Sequence, residues 1–130
     1  MTAASDYYED KLLRTTFQNE PYSVAQTYVG LNVADPTDAA AATELSDSGY
    51  ARVAGAWNAP VIGAGTVSNS ADLEFPAIAD AGPFSVTHIT IWDAPTGGNM
   101  LIYAPLTTAK VFSLNDVPRF PIGSLTPKVA

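Results

Sequence analysis

The apolar residues at the start of the chain have the spacing of a helix. Two pairs stand four positions apart, Tyr8 with Leu12 and Leu13 with Phe17. Residues four apart lie on the same side of a helix. Asp6 precedes Glu9 by three positions, which is the spacing of a capping box. We therefore predict a helix from residue 5 to about residue 17, which ends before Pro21 because the residue that precedes a proline disfavours helical geometry.

After Pro21 apolar and polar residues alternate, which is the pattern of a half-buried strand. In residues 26–33 the alternation places Val29, Leu31 and Val33 on one face. The segment Phe84–Trp92 is the clearest strand, because it is dense in β-branched and aromatic residues. Further strands are predicted at 50–57, 71–75, 99–103, 110–114 and 124–129.

Turn-forming residues separate these segments. Residues 37–49 are polar and rich in alanine, and we predict a surface loop in which Leu45 is the one anchor. Residues 93–98 are predicted to join a hairpin. The glycine pairs Gly63-x-Gly65 and Gly97-Gly98 lack the residues that follow a phosphate-binding loop, so we interpret them as turn glycines with positive φ.

The chain contains ten prolines and nine glycines among 130 residues, which is typical of many short elements joined by turns. We predict an all-β fold, a jelly-roll or Ig-like β-sandwich of about seven to nine strands with a short N-terminal α-helix. Residues 1–20 are predicted to form a helical arm and residues 21–130 a single sandwich domain.

Charge and hydropathy exclude two classes of partner. The net charge is −7, and the six basic residues are scattered, so we expect no binding to nucleic acid. No apolar run approaches the ~20 residues of a membrane helix, and the first residues lack the pattern of a secretory signal. We therefore expect neither membrane insertion nor secretion.

Few residues could carry chemistry. The chain has no cysteine, which excludes disulfides and thiolate metal sites. The one histidine, His88, is predicted to be a packed strand residue on the same face as Phe84, Val86 and Trp92. No nucleophile motif accompanies it. We predict no enzyme activity, no catalytic residue, no cofactor and no metal site.

Two sets of carboxylates need separate consideration. Asp72 and Glu74 are predicted to face solvent while Leu73 and Phe75 face inward, and no basic residue lies near them in sequence. The other set stands in the predicted loop and consists of Asp35, Asp38, Glu44 and Asp47. These four offer oxygen ligands for calcium, but they lack the regular spacing of an EF-hand loop.

The N-terminal helix carries more aromatic surface than one small face buries. Tyr7 and Tyr8 are adjacent, and a short helix needs support from other parts of the structure. The helix either packs on its own sandwich or docks on a neighbouring subunit. We take Tyr7, Tyr8, Leu12 and Leu13 as candidate partner-contact residues.

The middle of the sequence resembles a known family. The ordered segments that carry the likeness are Gly49-Tyr-Ala-Arg-Val-Ala54, Ser68-Asn-Ser-Ala71-x-Leu73-x-Phe75-Pro-Ala77, Val86-Thr-His88-x-x-Ile91-x-Asp93-Ala94-x-Thr96-Gly-Gly-Asn99 and Leu101-x-Tyr103-x-x-Leu106-Thr-Thr108-x-Lys110. The combination is similar to small virion proteins of tailed bacteriophages, labelled as tail-fibre or head-decoration proteins. The last stretch departs from the family pattern, because Pro118, Pro121 and Pro127 interrupt it.

This resemblance implies a β-sandwich and a structural role in the virion. The first hypothesis is a capsid cement or decoration protein on the outer capsid surface, made in the host cytoplasm. Its expected partners are the major capsid protein and copies of itself, with a homotrimer favoured. The alternative is a tail-fibre or receptor-binding module that contacts the host surface.

Overall fold

The computed structural model describes residues 3–127, which form one short helix and seven strands. In chain order these are β1 (Ala3–Ala4), α1 (Asp6–Phe17), β2 (Tyr28–Asn32), β3 (Val53–Ala54), β4 (Leu73–Glu74), β5 (Phe84–Trp92), β6 (Met100–Phe112) and β7 (Arg119–Phe120). The five-stranded sheet has the order β1-β6-β5-β2-β3, and β4 pairs with β7 in a second sheet. All pairings are antiparallel. The predicted all-β sandwich with a short N-terminal helix is confirmed, and the jelly-roll or Ig-like topology stays a prediction.

The core lies between the large sheet and the chain segments that carry β4 and β7. From the large sheet it takes Val29, Leu31, Val86 and Ile89, and from the other side Leu45, Leu73, Phe75, Ile78, Phe120 and Leu125. The rings of Phe75 and Phe120 meet edge to face, with 6.1 Å between their centroids. The inward orientation of Leu73 and Phe75, the exposure of Asp72 and Glu74, and the anchoring role of Leu45 are confirmed.

The helix α1 spans the predicted residues, but its cap differs from the predicted one. Ser5 is the N-cap, and its hydroxyl accepts a hydrogen bond from the backbone N–H of Tyr8. The same hydroxyl donates to the carbonyl of Met100. Asp6, which the sequence suggested as the cap, is the first helical residue. Ser5 takes the cap because β1 holds it against β6.

The residues before the helix belong to the sheet. Ala3 and Ala4 pair with Tyr103 and Ile102 of β6. Residues 3–4, which were predicted to belong to the helical arm, therefore add a strand to the large sheet. The division of the chain into an arm of residues 1–20 and a sandwich of residues 21–130 stays a prediction.

Several predicted strands have different bounds in the structure. Residues 26–33 shorten to β2, and Val33 is exposed rather than inward. Residues 50–57 shorten to β3. The predicted strands at 99–103 and 110–114 contribute to one long strand, β6, which passes through Pro105. Over 124–127 the chain is not a strand, and residues 128–129 lie outside the described residues. The strand β7 was not predicted.

An irregularity in the pairing of β5 with β6 changes the side on which His88 lies. The register between β5 and β6 shifts between Val86 and His88. Val86 and Ile89, three positions apart, consequently both belong to the core. The prediction that His88 shares a face with Val86 is therefore wrong, because the alternation of β5 changes phase where β5 advances two residues and β6 advances five, from the pair Val86–Lys110 to the pair His88–Pro105.

Candidate functional site

A polar cluster covers the face of the large sheet opposite the core, and Arg52 is at its centre. The guanidinium forms a two-pronged contact with Glu44: Nε donates to Oε2 and Nη2 to Oε1, both at 2.8 Å. Nη1 donates to the carbonyls of Ala94 and Gly97 at 2.9 and 2.8 Å. The same group stacks on the ring of Trp92, with Cζ 3.7 Å from the centroid. The Arg52 side chain is only 6% exposed.

Tyr50 completes the surroundings of the carboxylate. Its hydroxyl donates to Glu44 at 2.5 Å and accepts from the backbone N–H of Leu31 at 3.0 Å. Burial by itself would raise the pKa of Glu44, but the hydrogen bonds from Arg52 and Tyr50 outweigh it and lower that pKa. Burial, followed by the bond to Glu44, raises the pKa of Tyr50. Glu44 is therefore ionised and Tyr50 protonated at neutral pH.

The cluster continues along β5 and β2 as a chain of hydrogen bonds. Trp92 Nε1 donates to Thr90 Oγ1 at 2.7 Å, and Thr90 donates to Asn32 Oδ1 at 2.9 Å. Gly30 lies among these groups, and a Cβ built there would be 2.8 Å from Thr90 Oγ1 and 2.9 Å from the Tyr50 hydroxyl. Only glycine leaves this space free for the network.

This arrangement is suited to holding loops rather than to chemistry. Four N–H donors of Arg52 are occupied by protein acceptors, so the side chain has little capacity left for a ligand. Its contacts tie the 44–52 segment and the 93–98 turn to the sheet. The predicted turn glycines are confirmed, with φ of +60° at Gly97 and +69° at Gly98.

His88 has no catalytic surroundings within residues 3–127. Its Nδ1 lies 2.9 Å from Thr87 Oγ1, and no carboxylate contact to the ring is present in this part of the chain. The described residues also contain no group of three or more His, Asp or Glu side chains placed to bind a metal ion.

The four carboxylates between residues 35 and 47 contact different partners. Asp35 accepts the backbone N–H of Thr37, and Asp38 accepts the hydroxyl of Tyr103. Glu44 is bound by Arg52, whereas Asp47 caps the backbone N–H groups of residues 79 and 80. Each of these four carboxylates therefore has its own protein partner in the described geometry.

Asp72 has a basic partner that its sequence neighbourhood does not reveal. Arg119 of β7 reaches it across the small sheet. The hydrogen bonds from Arg119 and from the N–H of Ile122 lower the pKa of Asp72. Both side chains are about half exposed, so this pair adds little to stability.

The four candidate partner-contact residues lie on two sides of α1. The rings of Tyr7 and Tyr8 contact Tyr22, with centroid distances of 6.5 and 6.3 Å. Leu12 lies with Tyr8 on the side that faces the sheet, whereas Leu13 is 58% exposed. The helix thus packs on its own chain with one side and leaves the other open, and partner contact stays a prediction.

An apolar groove separates α1 from the large sheet. Its volume is about 520 Å³, and its lining is uncharged. The lining residues are Tyr8, Leu12, Thr15, Tyr22, Ser23, Val24, Thr27, Trp57, Pro60, Val67, Ile91, Leu101, Ile102 and Pro127. The hydroxyl of Tyr22 is buried and has no hydrogen-bond partner among the described residues. Burial raises the pKa of Tyr22 to about 12, so this hydroxyl is a protonated donor without an acceptor.

A turn with an apolar tip stands at the rim of this groove. Pro60 belongs to the groove lining, and Val61 and Ile62 follow it. Ile62 is fully exposed and Val61 is 60% exposed. Val61 pairs with Thr66 to close the turn, which gives the tip a defined backbone. The spacing of Gly63 and Gly65 predicted a turn, whereas the exposure of the adjacent Val-Ile pair was not predicted.

Residues 3–128 match the family described as Podophage GP4 fiber I protein gp80, and the chain belongs to this family. It is therefore a structural protein of the virion of a tailed bacteriophage. The resemblance seen in the sequence is thereby confirmed. A search of curated proteins gave no match. Within the described residues, no helix is both long and apolar enough to cross a bilayer.

Proposed function

We propose that this protein is a non-enzymatic building element of a virion fibre. The observation that carries the proposal is the family match over residues 3–128, whose name designates a fibre protein. This name favours the fibre alternative over capsid cement, which was the first hypothesis from the sequence.

The polar cluster supports a mechanical role. Arg52 binds Glu44 of one loop and the carbonyls of residues 94 and 97 in another. A guanidinium in this setting fixes the positions of both loops, because its bonds are charge-assisted and its side chain is largely buried. A domain with fixed surface loops can transmit force or present a constant surface to a partner.

The partners that we propose are copies of the same chain and another structural protein of the particle. An acidic chain is repelled from packaged DNA, so a net charge of −7 fits a location outside the nucleic acid. The major capsid protein is the candidate for the attachment partner, and a homotrimer is the favoured assembly.

Gold-labelled antibodies against the purified protein test this proposal on intact particles. A fibre element predicts label on projections from the particle, and particles that lack the protein should lack those projections. Capsid cement would instead be supported by two results together. The label would be spread evenly over the shell, and particles without the protein would keep their projections but have less stable heads. Binding of the purified protein to host cells distinguishes a receptor-binding fibre from a purely mechanical one.

A further inference from the structure

We propose that the apolar tip of residues 60–65 inserts into the groove beneath α1 of a second copy of this chain. The proposal concerns how copies contact one another, and it holds for a fibre and for a capsid-bound position alike. It goes beyond the proposed function, which does not specify any contact surface.

The tip has a composition that solvent does not favour. Residues 60–65 read Pro-Val-Ile-Gly-Ala-Gly and include no polar side chain. Surface turns ordinarily consist of polar residues and glycine, because their backbone and side chains face water. Here the backbone is held by the Val61–Thr66 pairing, so Ile62 is presented at the end of an ordered turn. An ordered apolar tip of this kind loses little entropy when a partner covers it.

The groove offers a matching surface. A volume of about 520 Å³ lies within the usual range of binding pockets, and aromatic and aliphatic side chains form most of the wall. No charged residue contributes to the described lining. Insertion of Ile62 would remove apolar surface from water on both sides, which is the main source of favourable free energy in such contacts.

The exposed apolar tip is present on every copy, so the chain itself supplies an occupant for the groove. Two copies that each carry a net charge of −7 repel one another over most of their surface. The tip and the groove lining are both uncharged, so they form a region through which copies can approach without bringing like charges together. Because Pro60 joins the tip to the groove rim, tip and groove lie side by side, and a symmetric assembly can use both on every copy.

Sedimentation of the full chain is the first test. We expect wild-type protein to associate as its concentration rises, and Ile62→Asn to raise the dissociation constant at least about tenfold, because it replaces the apolar side chain at the centre of the contact. Ile122→Asn is the matched control, since Ile122 is also an exposed turn residue outside the groove lining. Both changes leave the net charge unaltered. Equal association of wild type and Ile62→Asn, or a wild-type chain that stays monomeric, would overturn the proposal.

Cross-linking identifies the contact itself. The natural chain has no cysteine, so single cysteines can be placed freely. Copies with Ile62→Cys are mixed with tagged copies carrying Leu12→Cys, and a mixed disulfide is expected to form faster than with tagged Val111→Cys, an exposed site on β6. Equal rates for the two mixtures would show that the tip does not enter the groove. If association required lipid vesicles or another virion protein, that component would be the occupant of the groove, and the proposal of a second copy would be wrong.

Discussion

Replacing Arg52 by alanine tests whether the polar cluster is a structural element of the domain. The substitution removes four hydrogen bonds and the stacking on Trp92, and it leaves the Glu44 carboxylate without its counter-charge. Breaking a buried ion pair from one side destabilises a protein by about 3–5 kcal/mol. The Glu44 side chain is 25% exposed, so water compensates part of the lost interaction with Arg52. We therefore expect Arg52→Ala to lower the free energy of unfolding by about 3 kcal/mol, a large part of the ~5–15 kcal/mol of a typical domain.

Urea unfolding followed by tryptophan fluorescence measures this change. Trp92 lies directly under the guanidinium, so the signal reports on the perturbed region. The midpoint should fall while the denaturant slope stays constant. Arg119→Ala is the matched control, because its partner Asp72 is exposed and the change should be small. A loss below about 1 kcal/mol for Arg52→Ala, or one equal to that of the control, would refute a structural role for the cluster.

A double variant separates the two contributions to this loss. Combining Arg52→Ala with Glu44→Gln removes the uncompensated charge while keeping an acceptor for the Tyr50 hydroxyl. The double variant should therefore be less destabilised than the sum of the two single variants. Additive losses would mean that Glu44 and Arg52 act independently, in conflict with their two-pronged contact.

Three further predictions concern Glu44, Asn69 and Gly30. The folded-state pKa of Glu44 lies below its ordinary value of 4.5, so its contribution to stability is present above pH 4.5 and is lost as the pH falls through the lower folded pKa. Glu44→Gln should therefore flatten the acid limb of a curve of stability against pH. An unchanged acid limb would contradict this prediction. Asn69→Ala should lower the free energy of unfolding by about 3 kcal/mol, since the buried amide accepts a hydrogen bond from the N–H of Leu125 and donates to the carbonyls of residues 71 and 121. Limited proteolysis should then cut the variant beyond residue 120 faster than the wild type. Equal cleavage rates would contradict this prediction. Gly30→Ala should destabilise by about 1–3 kcal/mol, because the new Cβ would lie 2.8 Å from Thr90 Oγ1; an unchanged melting temperature would show that the network can move aside.

The elements that the sequence predicts well are those with local determinants. The strand Phe84–Trp92 and the helix α1 have the predicted bounds, or nearly so, because their residue types and spacing act within a few positions. The register shift between β5 and β6 was not predictable in the same way. It depends on how β5 meets Pro105 of β6, which is opposite His88.

Long-range contacts explain the rest of the differences. Arg119 and Asp72 are 47 positions apart, and their pairing follows from the short strands β4 and β7. The two strands predicted at 99–103 and 110–114 join because Pro105 is accommodated at a register shift rather than ending the strand. No pattern in the local sequence distinguishes these outcomes from the alternatives.

The candidate surfaces were only partly predictable. Tyr8 and Leu12 stand at helical spacing in the sequence, and both line the groove. The opposite wall comes from Trp57, Ile91 and Ile102, which are distant in sequence and meet only in the fold. The exposure of Ile62 depends equally on the folded turn, since an apolar pair in sequence is more often buried than displayed.

The pairing of β1 with β6 bears on the order in which the molecule folds. β5 and β6 form a hairpin from neighbouring parts of the chain, and such local contacts close quickly. By contrast, the strand pair of Ala4 with Ile102 and the hydrogen bond from the N–H of Leu125 to Asn69 join residues that are far apart in sequence. During synthesis the first residues therefore leave the ribosome long before their strand partner exists. We expect the β5–β6 hairpin to act as the nucleus, while the N-terminal strand and the C-terminal segment attach late.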